Sequence, residues 1–361
     1  MRILWINHRD PRHPQAGGAE TYIHEISKRL VKMSHEVTLI SEEIDGLPKK
    51  EELDGIKILR MGDKATIHIK APLYVKKYGS KYDLIIDSVA HAVPWYSPLV
   101  TKTPVIALVY HIHQDVVDME LTKPLAYVVK QLEKTLKLYK HFITISQSTR
   151  EELKRIVKHD KIHIVPPGVD LEKYRPGPKS PIPTVLWVGR IKRYKNLEHL
   201  LLAFREVKRE VRDARLVIIG TGDHEPEVKR FARSLGTDGV EFLGRATEEE
   251  KIKWMQSAWL IASTSTKEGW GLTITEAAAC GTPAVAYDVP GLRDSVIHGE
   301  TGLLVRPGDV KALAQAITLL LIDSQVREKL GKNAYRVAQR YSWDASAKTM
   351  AQLLREWSSY R

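Results

Sequence analysis

Short apolar runs rich in β-branched residues alternate with longer amphipathic segments along the whole chain. This alternation predicts a doubly wound parallel sheet with helices on both faces. The strands predicted in the first half span residues 3–7, 37–41, 56–60, 84–87, 105–109, 142–146 and 162–165. Helices are predicted over 20–33, 121–140 and 148–157, the last with Ser146 or Ser148 as its N-cap and Glu151 and Glu152 in its first turn.

A cluster of prolines and glycines interrupts this alternation near the middle of the chain, which is typical of a connection between domains. Its members are Pro166, Pro167, Gly168, Pro176, Gly177, Pro178, Pro181 and Pro183. Strands are predicted again over 185–188, 216–219, 240–243, 260–263, 284–287 and 303–305. We therefore predict two Rossmann-like domains, over 1–168 and 169–342, followed by an amphipathic helix over 343–357.

Composition narrows the class of protein. The single cysteine, Cys280, excludes an intrachain disulfide and a cysteine metal cluster, which favours a cytoplasmic protein. The N-terminal apolar run is too short for a signal peptide, and no apolar stretch reaches the roughly 18 residues of a membrane span. The net charge of +12 is spread evenly, with +6 on residues 1–165 and +6 on the remainder. An even spread favours anionic ligands or lipid surfaces over a nucleic-acid-binding segment.

Two consecutive glycines, Gly17 and Gly18, stand between the first predicted strand and the first predicted helix. Their backbone N–H groups could approach an anion closely, and the positive end of the helix would add to the attraction. Their spacing differs from the dinucleotide fingerprint G-x-G-x-x-G. A phosphate contact and an ordinary helix start therefore both stay open here.

A basic pair follows the first strand of the second predicted domain, where Gly189 and Arg190 precede Lys195. Ligands of doubly wound sheets lie at the carboxyl ends of the strands. An arginine and a lysine at that edge could hold a pyrophosphate and stabilise a departing nucleotide. An ordinary solvated surface is the alternative in a chain this basic.

Two glutamates, Glu268 and Glu276, flank a glycine-bearing turn that opens a helix predicted over 272–280. The free N–H groups near Trp270 and Thr273 could bind phosphate or sugar hydroxyls, and Glu276 could reach a ribose diol. The alternative is a pair of glutamates that suit the helix start and its exposed face.

A histidine pair follows the predicted strand over 105–109, and strand alternation would place His111 and His113 on the same side. Together with Asp115 they could ligate a metal ion. No further ligand cluster is evident in the sequence, so contact with a sugar hydroxyl or proton handling is the favoured interpretation.

These motifs together resemble the family-four class of retaining nucleotide-sugar glycosyltransferases, which adopt the GT-B fold. The GGAE loop at 17–20, the PGVD segment at 167–170, the Gly-Arg…Lys set and the two glutamates occur in family order. The resemblance implies two Rossmann-like doubly wound parallel-sheet domains facing across a cleft. It implies an N-terminal acceptor domain over 1–168, a nucleotide-sugar domain over 169–342, and a final helix over 343–361 that returns to the first domain.

The resemblance also implies roles for single residues. Arg190 and Lys195 would hold the donor diphosphate, Glu276 the ribose and Glu268 the transferred sugar, and His111 would complete the catalytic set. The other expected donor contacts are Gly17, Gly18, Gly189, Arg245, Gly269, Trp270, Gly271, Leu272 and Thr273. The expected acceptor contacts are Arg9, His113, Gln114 and Asp115.

Enzymes of this class are usually metal-independent, so no metal or cofactor is expected besides the nucleotide-sugar substrate. Retention is expected on one face, with the leaving phosphate taking the acceptor proton and without a glycosidase-type nucleophile. Similarity to lipid mannosyltransferases makes GDP-mannose the first expected donor, while UDP-glucose and UDP-N-acetylglucosamine stay open.

The expected acceptor is a sugar, a polyol or a lipid-linked molecule. Two groups of lysines suggest that the protein rests on the cytoplasmic face of an anionic membrane, against the alternative of ordinary solvated helices. These lysines are Lys70, Lys76, Lys77 and Lys81, and then Lys130, Lys134 and Lys137.

Two other interpretations compete with a glycosyltransferase. A GT-B epimerase or phosphorylase would share the architecture but would lack this combination of glutamates and basic pair. A non-catalytic anion or nucleic-acid binder would show clustered charge with interleaved aromatics, which the even charge and 7% aromatic content disfavour.

Overall fold

The computed structural model describes residues 1–114, 116–159 and 161–358, leaving out the side chain of Glu120. The chain divides into two compact units. Unit 1 comprises Met1–Gly168 and Trp343–Arg361, and unit 2 comprises Val169–Ser342. The first boundary between them falls within the cluster of prolines and glycines.

Unit 1 contains an eight-stranded sheet. Its strands are β1 (Arg2–Ile6), β2 (Glu36–Ser41), β3 (Lys50–Leu53), β4 (Ile56–Arg60), β5 (Leu84–Val89), β6 (Val105–Val109), β7 (His141–Thr144) and β8 (Ile162–Ile164). Their order is β3-β4-β2-β1-β5-β6-β7-β8, and β3 pairs antiparallel with β4 while the other pairs are parallel. The central strands β5 and β6 are buried along their whole length, in agreement with the continuous apolar sequence of β6 and of residues 84–86 in β5.

The helices of unit 1 are α1 (Gly18–Lys32), α2 (Ile67–Tyr78), α3 (Val117–Glu120), α4 (Lys123–Glu133) and α5 (Gln147–Val157). The single helix predicted over 121–140 is wrong, because α4 begins at Lys123 and the chain tightens into a 3-10 turn over Lys134–Leu138. Pro124 fits the first turn of α4, where its missing N–H costs nothing. Ser146 caps α5, since its Oγ accepts a hydrogen bond from Thr149 N at 3.1 Å; the first turn of α5 contains no acidic residue, contrary to the prediction.

Unit 2 contains a six-stranded parallel sheet. Its strands are β9 (Thr184–Val188), β10 (Arg215–Ile219), β11 (Val240–Gly244), β12 (Leu260–Ser263), β13 (Ala284–Tyr287) and β14 (Gly302–Val305), in the order β11-β10-β9-β12-β13-β14. Its helices are α6 (Leu197–Glu210), α7 (Glu225–Leu235), α8 (Glu248–Ser257), α9 (Leu272–Ala279), α10 (Leu292–Ser295), α11 (Val310–Ile322) and α12 (Ser324–Ala338).

The strand order reverses once in each sheet. In unit 1 the chain runs outward from β1 to β2 and later returns to β5 on the other side of β1, and in unit 2 it returns in the same way from β11 to β12 beside β9. Such a reversal leaves a crevice at the carboxyl ends of the two strands, where ligands of doubly wound folds bind. The fold therefore has one favoured ligand position in each unit, at the carboxyl ends of the strands where the order reverses.

The last helix, α13 (Trp343–Ser358), packs on α1 in unit 1. Its apolar stripe, which includes Ala347, Met350 and Leu354, is fully buried. Arg29 Nε lies 2.5 Å from Asp344 Oδ1 at the start of the helix. The helix thus returns to the N-terminal unit, as the resemblance implied. Among the described residues, no helix combines the length and the apolar composition needed to cross a membrane.

Candidate functional site

The loops that follow β9 and β12 in unit 2 are tied together by hydrogen bonds. Asn196, in the left-handed conformation with φ 47°, donates from Nδ2 to Thr264 O at 3.1 Å and to Thr266 Oγ1 at 2.9 Å. In return, Thr264 Oγ1 donates to Lys195 O at 2.8 Å. Since β9 and β12 flank the reversal of strand order, these bonds fix both loops at the favoured ligand position of unit 2.

Lys195 and Glu268 form an ion pair at this position. Ser265 Oγ donates a second hydrogen bond to Glu268 Oε1 at 2.7 Å. Burial by itself lowers the pKa of Lys195, but the negative charge of Glu268 outweighs it and holds the pKa above its ordinary value. The lysine is therefore a permanent cation, and it is held in place before any ligand arrives.

Arg190 supplies a second positive charge beside this pair. The positive charge of Arg190 is close enough to Lys195 to lower the pKa of the lysine, although the charge of Glu268 has the larger, opposite effect. The Arg190 side chain is exposed, and within 1–114, 116–159 and 161–358 it makes no ion pair or side-chain hydrogen bond. An exposed guanidinium next to a fixed ammonium is suited to a ligand with two or more negative charges.

Glycines let neighbouring loops approach this site closely. A Cβ at Gly220 would lie 1.8 Å from Gly189 O, and a Cβ at Gly291 would lie 2.2 Å from Glu268 O. Gly291 also has φ +84°, a region that favours glycine. The loop after β13 therefore supports Glu268 from behind, and Pro290 O accepts a hydrogen bond from Glu268 N at 3.1 Å.

The turn before α9 is anchored by the side chain of Trp270. Its indole Nε1 donates to Thr275 Oγ1 at 2.8 Å, and its ring lies 5.0 Å from that of Tyr341. Gly271 is the N-cap of α9, with φ 95°. Because its indole is buried, Trp270 could contact a ligand only through its backbone. Its neighbours Gly269, Leu272 and Thr273 are half-buried.

Glu276 forms an ion pair with Lys251, a residue that no sequence motif identified. Lys251, on α8, places Nζ 3.0 Å from each carboxylate oxygen of Glu276. The two residues come from different helices, so no local pattern in the sequence signals their contact. Arg245 follows Gly244 at the end of β11 and is exposed, and β10 separates β11 from β9.

The glycine pair of unit 1 forms the start of α1, with Gly17 as its N-cap. Glu20, which is buried, accepts a hydrogen bond from Gly17 N at 2.7 Å and another from Asn7 Nδ2 at 3.3 Å. The backbone N–H of Gly17 therefore already donates to a carboxylate of the protein, that of Glu20. The phosphate contact predicted for Gly17 and Gly18 stays a prediction.

The histidine pair lies beyond β6, which ends at Val109, so a loop rather than strand alternation brings the two rings to 4.1 Å. Glu133, which is buried, accepts hydrogen bonds from His113 N at 2.7 Å and from Gln114 Nε2 at 2.7 Å. His113 and Gln114, two predicted acceptor contacts, are therefore bound within unit 1.

The other two predicted acceptor contacts are Arg9 and Asp115. Arg9 donates to Gln15 Oε1 at 3.0 Å and lies 3.6 Å from Glu42 Oε1. Asp115 lies outside the described residues. In the part of the chain that the structure describes, no three His, Cys, Asp or Glu side chains are arranged so that they could hold a metal ion.

A histidine cluster that was not predicted surrounds Trp95 where the strand order of unit 1 reverses. His8, after β1, lies with Nε2 2.9 Å from His68 Nε2 and with its ring 4.7 Å from that of His91, after β5. Burial, reinforced by His68, lowers the pKa of His8 to about 3, so His8 is neutral near pH 7. His68 lies on α2, a helix that the sequence did not predict.

Two family models match consecutive parts of the chain. The one described as Glycosyltransferase Family 4 matches residues 16–173, and the one described as Glycosyl transferases group 1 matches residues 170–337. Together they cover both units.

Curated relatives carry the name D-inositol 3-phosphate glycosyltransferase. The protein from Corynebacterium aurimucosum is 30% identical over 70% of this chain and 65% of its own length. The protein from Xylanimonas cellulosilytica is 33% identical over 56% of this chain, and the match spans only 54% of that relative. The protein from Streptomyces coelicolor is 28% identical over 95% of this chain and 89% of its own length.

Solved structures share the fold over the whole chain. Sucrose-phosphate synthase from Thermosynechococcus elongatus matches with a TM-score of 0.85 and 25% identity, covering 100% of both chains. Anabaena HepE, solved in complex with UDP and glucose, matches with a TM-score of 0.77 and 20% identity, covering 99% of this chain and 100% of that one. The chain therefore belongs to the family-four glycosyltransferases, with a Glycosyltransferase Family 4 domain followed by a group 1 domain on the GT-B fold.

Proposed function

We propose that the protein transfers a hexose from a nucleotide diphosphate sugar to a hydroxyl acceptor, with retention of the anomeric configuration. The observation that carries this proposal is the fixed Lys195–Glu268 pair with the exposed Arg190 beside it, where the strand order of unit 2 reverses. This arrangement offers a diphosphate two cations and offers the sugar a carboxylate.

The chemistry follows from where charge develops. As the sugar–phosphate bond breaks, negative charge grows on the leaving diphosphate, and Arg190 and Lys195 stabilise it without a metal ion. Glu268 orients the sugar hydroxyls. The leaving phosphate oxygen takes the acceptor proton on the face from which it departs, so no protein nucleophile is needed. His111, Gly17 and Gly18 stay predictions from the resemblance.

The donor and the acceptor are proposed by class. GDP-mannose is the donor expected from the resemblance to lipid mannosyltransferases, and UDP-glucose is supported by the solved complex of HepE with that sugar nucleotide. The names of the curated relatives support a sugar or polyol acceptor such as an inositol phosphate.

A donor panel tests the proposal. Thermal unfolding is followed with GDP-mannose, UDP-glucose and UDP-N-acetylglucosamine, with and without EDTA, because a ligand that binds only the folded state must raise the midpoint. The best donor is then incubated with D-inositol 3-phosphate, and the anomeric configuration of the product is read by NMR. We expect transfer by the wild type and its loss in Arg190→Ala and Glu276→Ala. Full transfer by both variants would refute the site.

We also propose that unit 1 rests on an anionic membrane surface. Residues 64–82 contain five lysines and no acidic residue. On α2, Ile69 is 65% exposed and Leu73 is 59% exposed. On α4, Leu125, Tyr127 and Val128 are exposed as well. Apolar side chains between lysines suit the boundary between headgroups and acyl chains, and a lipid-linked acceptor would be reached there.

Co-sedimentation with vesicles tests this surface. We expect binding to vesicles containing phosphatidylserine at low salt, none to phosphatidylcholine alone, and weaker binding in Ile69→Glu/Leu73→Glu. The matched control is Leu319→Glu/Ile322→Glu, because those side chains are exposed apolar residues of unit 2. Equal loss of binding in both double variants, or no binding by the wild type, would remove the membrane proposal and leave glycosyl transfer intact.

A further inference from the structure

Three histidines and a tryptophan meet where the strand order of unit 1 reverses. His8 follows β1, His91 and Trp95 follow β5, and His68 lies on α2. The ring of His68 stacks on the indole of Trp95 at 4.6 Å with an interplanar angle of 18°, and the ring of His8 lies 4.9 Å from the same indole. Trp95 is itself fixed, because its Nε1 donates to Ser88 O at 2.8 Å. Both histidines are therefore held in place at the favoured ligand position of unit 1.

The loop that begins with His91 has a strained backbone. Ala92 and Tyr96 lie in the left-handed region, with φ 61° and φ 59°, which residues other than glycine, asparagine and aspartate rarely adopt. Such a conformation persists only where the surrounding structure fixes it, and here Tyr96 N donates to Tyr139 Oη at 3.1 Å. His91 is exposed, and its ring lies 4.7 Å from that of His8. The loop thus keeps an exposed imidazole beside a buried one.

His8 and His68 form a neutral pair. Burial is the main reason why the pKa of His8 falls to about 3, and His68, Arg9 and Lys64 act in the same direction. Burial also lowers the pKa of His68. The two Nε2 atoms lie 2.9 Å apart, so one ring donates and the other accepts. Because a neutral imidazole carries a single N–H, the two Nδ1 atoms then comprise one donor and one acceptor. Neither Nδ1 atom has a hydrogen-bond partner among the residues that the structure describes.

We infer that His8, His68 and His91 bind the hydroxyl groups of the acceptor, and that they recognise a polyol or sugar ring by these hydroxyls rather than by an anionic group. A hydroxyl both donates and accepts a hydrogen bond, so it matches a pair that offers one donor and one acceptor. A phosphate or carboxylate only accepts, and the neutral pair lacks the charge that makes hydrogen bonds to such a group strong. The family resemblance assigns acceptor binding to unit 1 but to none of these three histidines.

These roles rest on the proposed function, because they take the bound hydroxyls to be those of the acceptor. Histidines that bind the acceptor affect the KM of the acceptor and leave the KM of the nucleotide sugar unchanged. Histidines that merely stabilised unit 1 would lower the thermal midpoint without a selective effect on the KM of the acceptor.

Steady-state kinetics with paired acceptors test the role of His91. The donor that most raises the thermal midpoint is combined with myo-inositol, D-inositol 3-phosphate, glucose and glucose 6-phosphate, which are two rings with and without a phosphate. We expect His91→Ala to raise the KM of the best acceptor about fivefold to tenfold, the scale of one lost hydrogen bond. Where a ring is used in both forms, the increase should be equal for both. The matched control is His298→Ala, because His298 is an exposed histidine of unit 2.

Two substitutions of His68 test the buried pair. His68→Leu removes the polar atoms and should raise the KM of the acceptor by a similar factor. His68→Gln should restore part of the loss, because an amide both donates and accepts. An unchanged KM of the acceptor in His91→Ala, an increase confined to the phosphorylated compounds, or equal losses in the two His68 variants would overturn the inference. Failure of the wild type to use any of the four compounds would also overturn it, while binding of UDP or GDP would leave the proposed donor site standing. Failure to bind either nucleotide would overturn the proposed function itself.

Discussion

Replacing Lys195 by methionine should separate the contribution of the Lys195–Glu268 pair to stability from its contribution to catalysis. Methionine keeps much of the length of the lysine side chain and removes its charge, leaving Glu268 with Ser265 as a hydrogen-bond donor. The two charged side chains are 14% and 19% exposed. Breaking a fully buried pair costs about 3–5 kcal/mol, whereas an exposed pair contributes about 0–1 kcal/mol. We therefore expect a loss of about 1–2 kcal/mol for Lys195→Met.

Thermal unfolding and transfer kinetics measure the two effects. For a domain of this size, about 1 kcal/mol shifts the midpoint by about 2–4 °C, so a loss of about 1–2 kcal/mol in Lys195→Met should lower it by about 2–8 °C. Loss of a charge that stabilises the leaving group typically reduces kcat by about 100- to 1000-fold.

The double variant Lys195→Met/Glu268→Gln decides between the two contributions. It removes the unpaired carboxylate, so most of the lost stability should return, while transfer should stay low because the cation is still missing. Recovery of transfer together with stability would refute the role of Lys195 in stabilising the leaving group.

Three further substitutions test features around this site and in unit 1. Gly291→Ala should lower the thermal midpoint and transfer together, because its Cβ would meet Glu268 O at 2.2 Å; Gly299, with φ +75° and no atom within 4 Å, is the matched control and should cost about 1 kcal/mol as alanine. Burial raises the pKa of Asp87 to about 6, so the folded protein binds this proton more tightly than the unfolded chain; relative to Asp87→Asn, the wild type should lose about 2 kcal/mol of stability in denaturant titrations as pH rises from about 4 to about 7. Glu133→Ala should cost about 2–4 kcal/mol in the same assay, because buried donors lose their acceptor, and an unchanged midpoint would show that the loop at 111–114 is held by other contacts.

The architecture could be predicted because the buried central strands have apolar sequences that are recognisable without knowledge of the rest of the fold. Strand β6 is buried along its whole length and reads as an unbroken apolar run, as do residues 84–86 at the start of β5, and helix α1 follows an evident glycine turn. The edge strand β3 has the polar sequence KEEL, which carries no such signal. Helix α2 contains Pro72, a residue that argues against a helix when only local sequence is considered.

Only those site residues that follow strands could be predicted to lie close together. Arg190 and Glu268 follow strands, and parallel strands bring their carboxyl ends to one edge, so their nearness is a consequence of topology. The contact of Lys251 with Glu276 joins two helices, and the cluster of His8 with His68 needs the unpredicted helix α2. Such side-chain contacts depend on packing between distant segments, which periodicity does not encode.

A crystal structure with a bound nucleotide diphosphate sugar would show whether Arg190, Lys195 and Glu276 form the donor site. We expect Arg190 and Lys195 to contact the diphosphate oxygens and Glu276 to accept hydrogen bonds from the ribose hydroxyls. A nucleotide bound elsewhere on unit 2, with Arg190 and Lys195 left in solvent, would contradict this expectation.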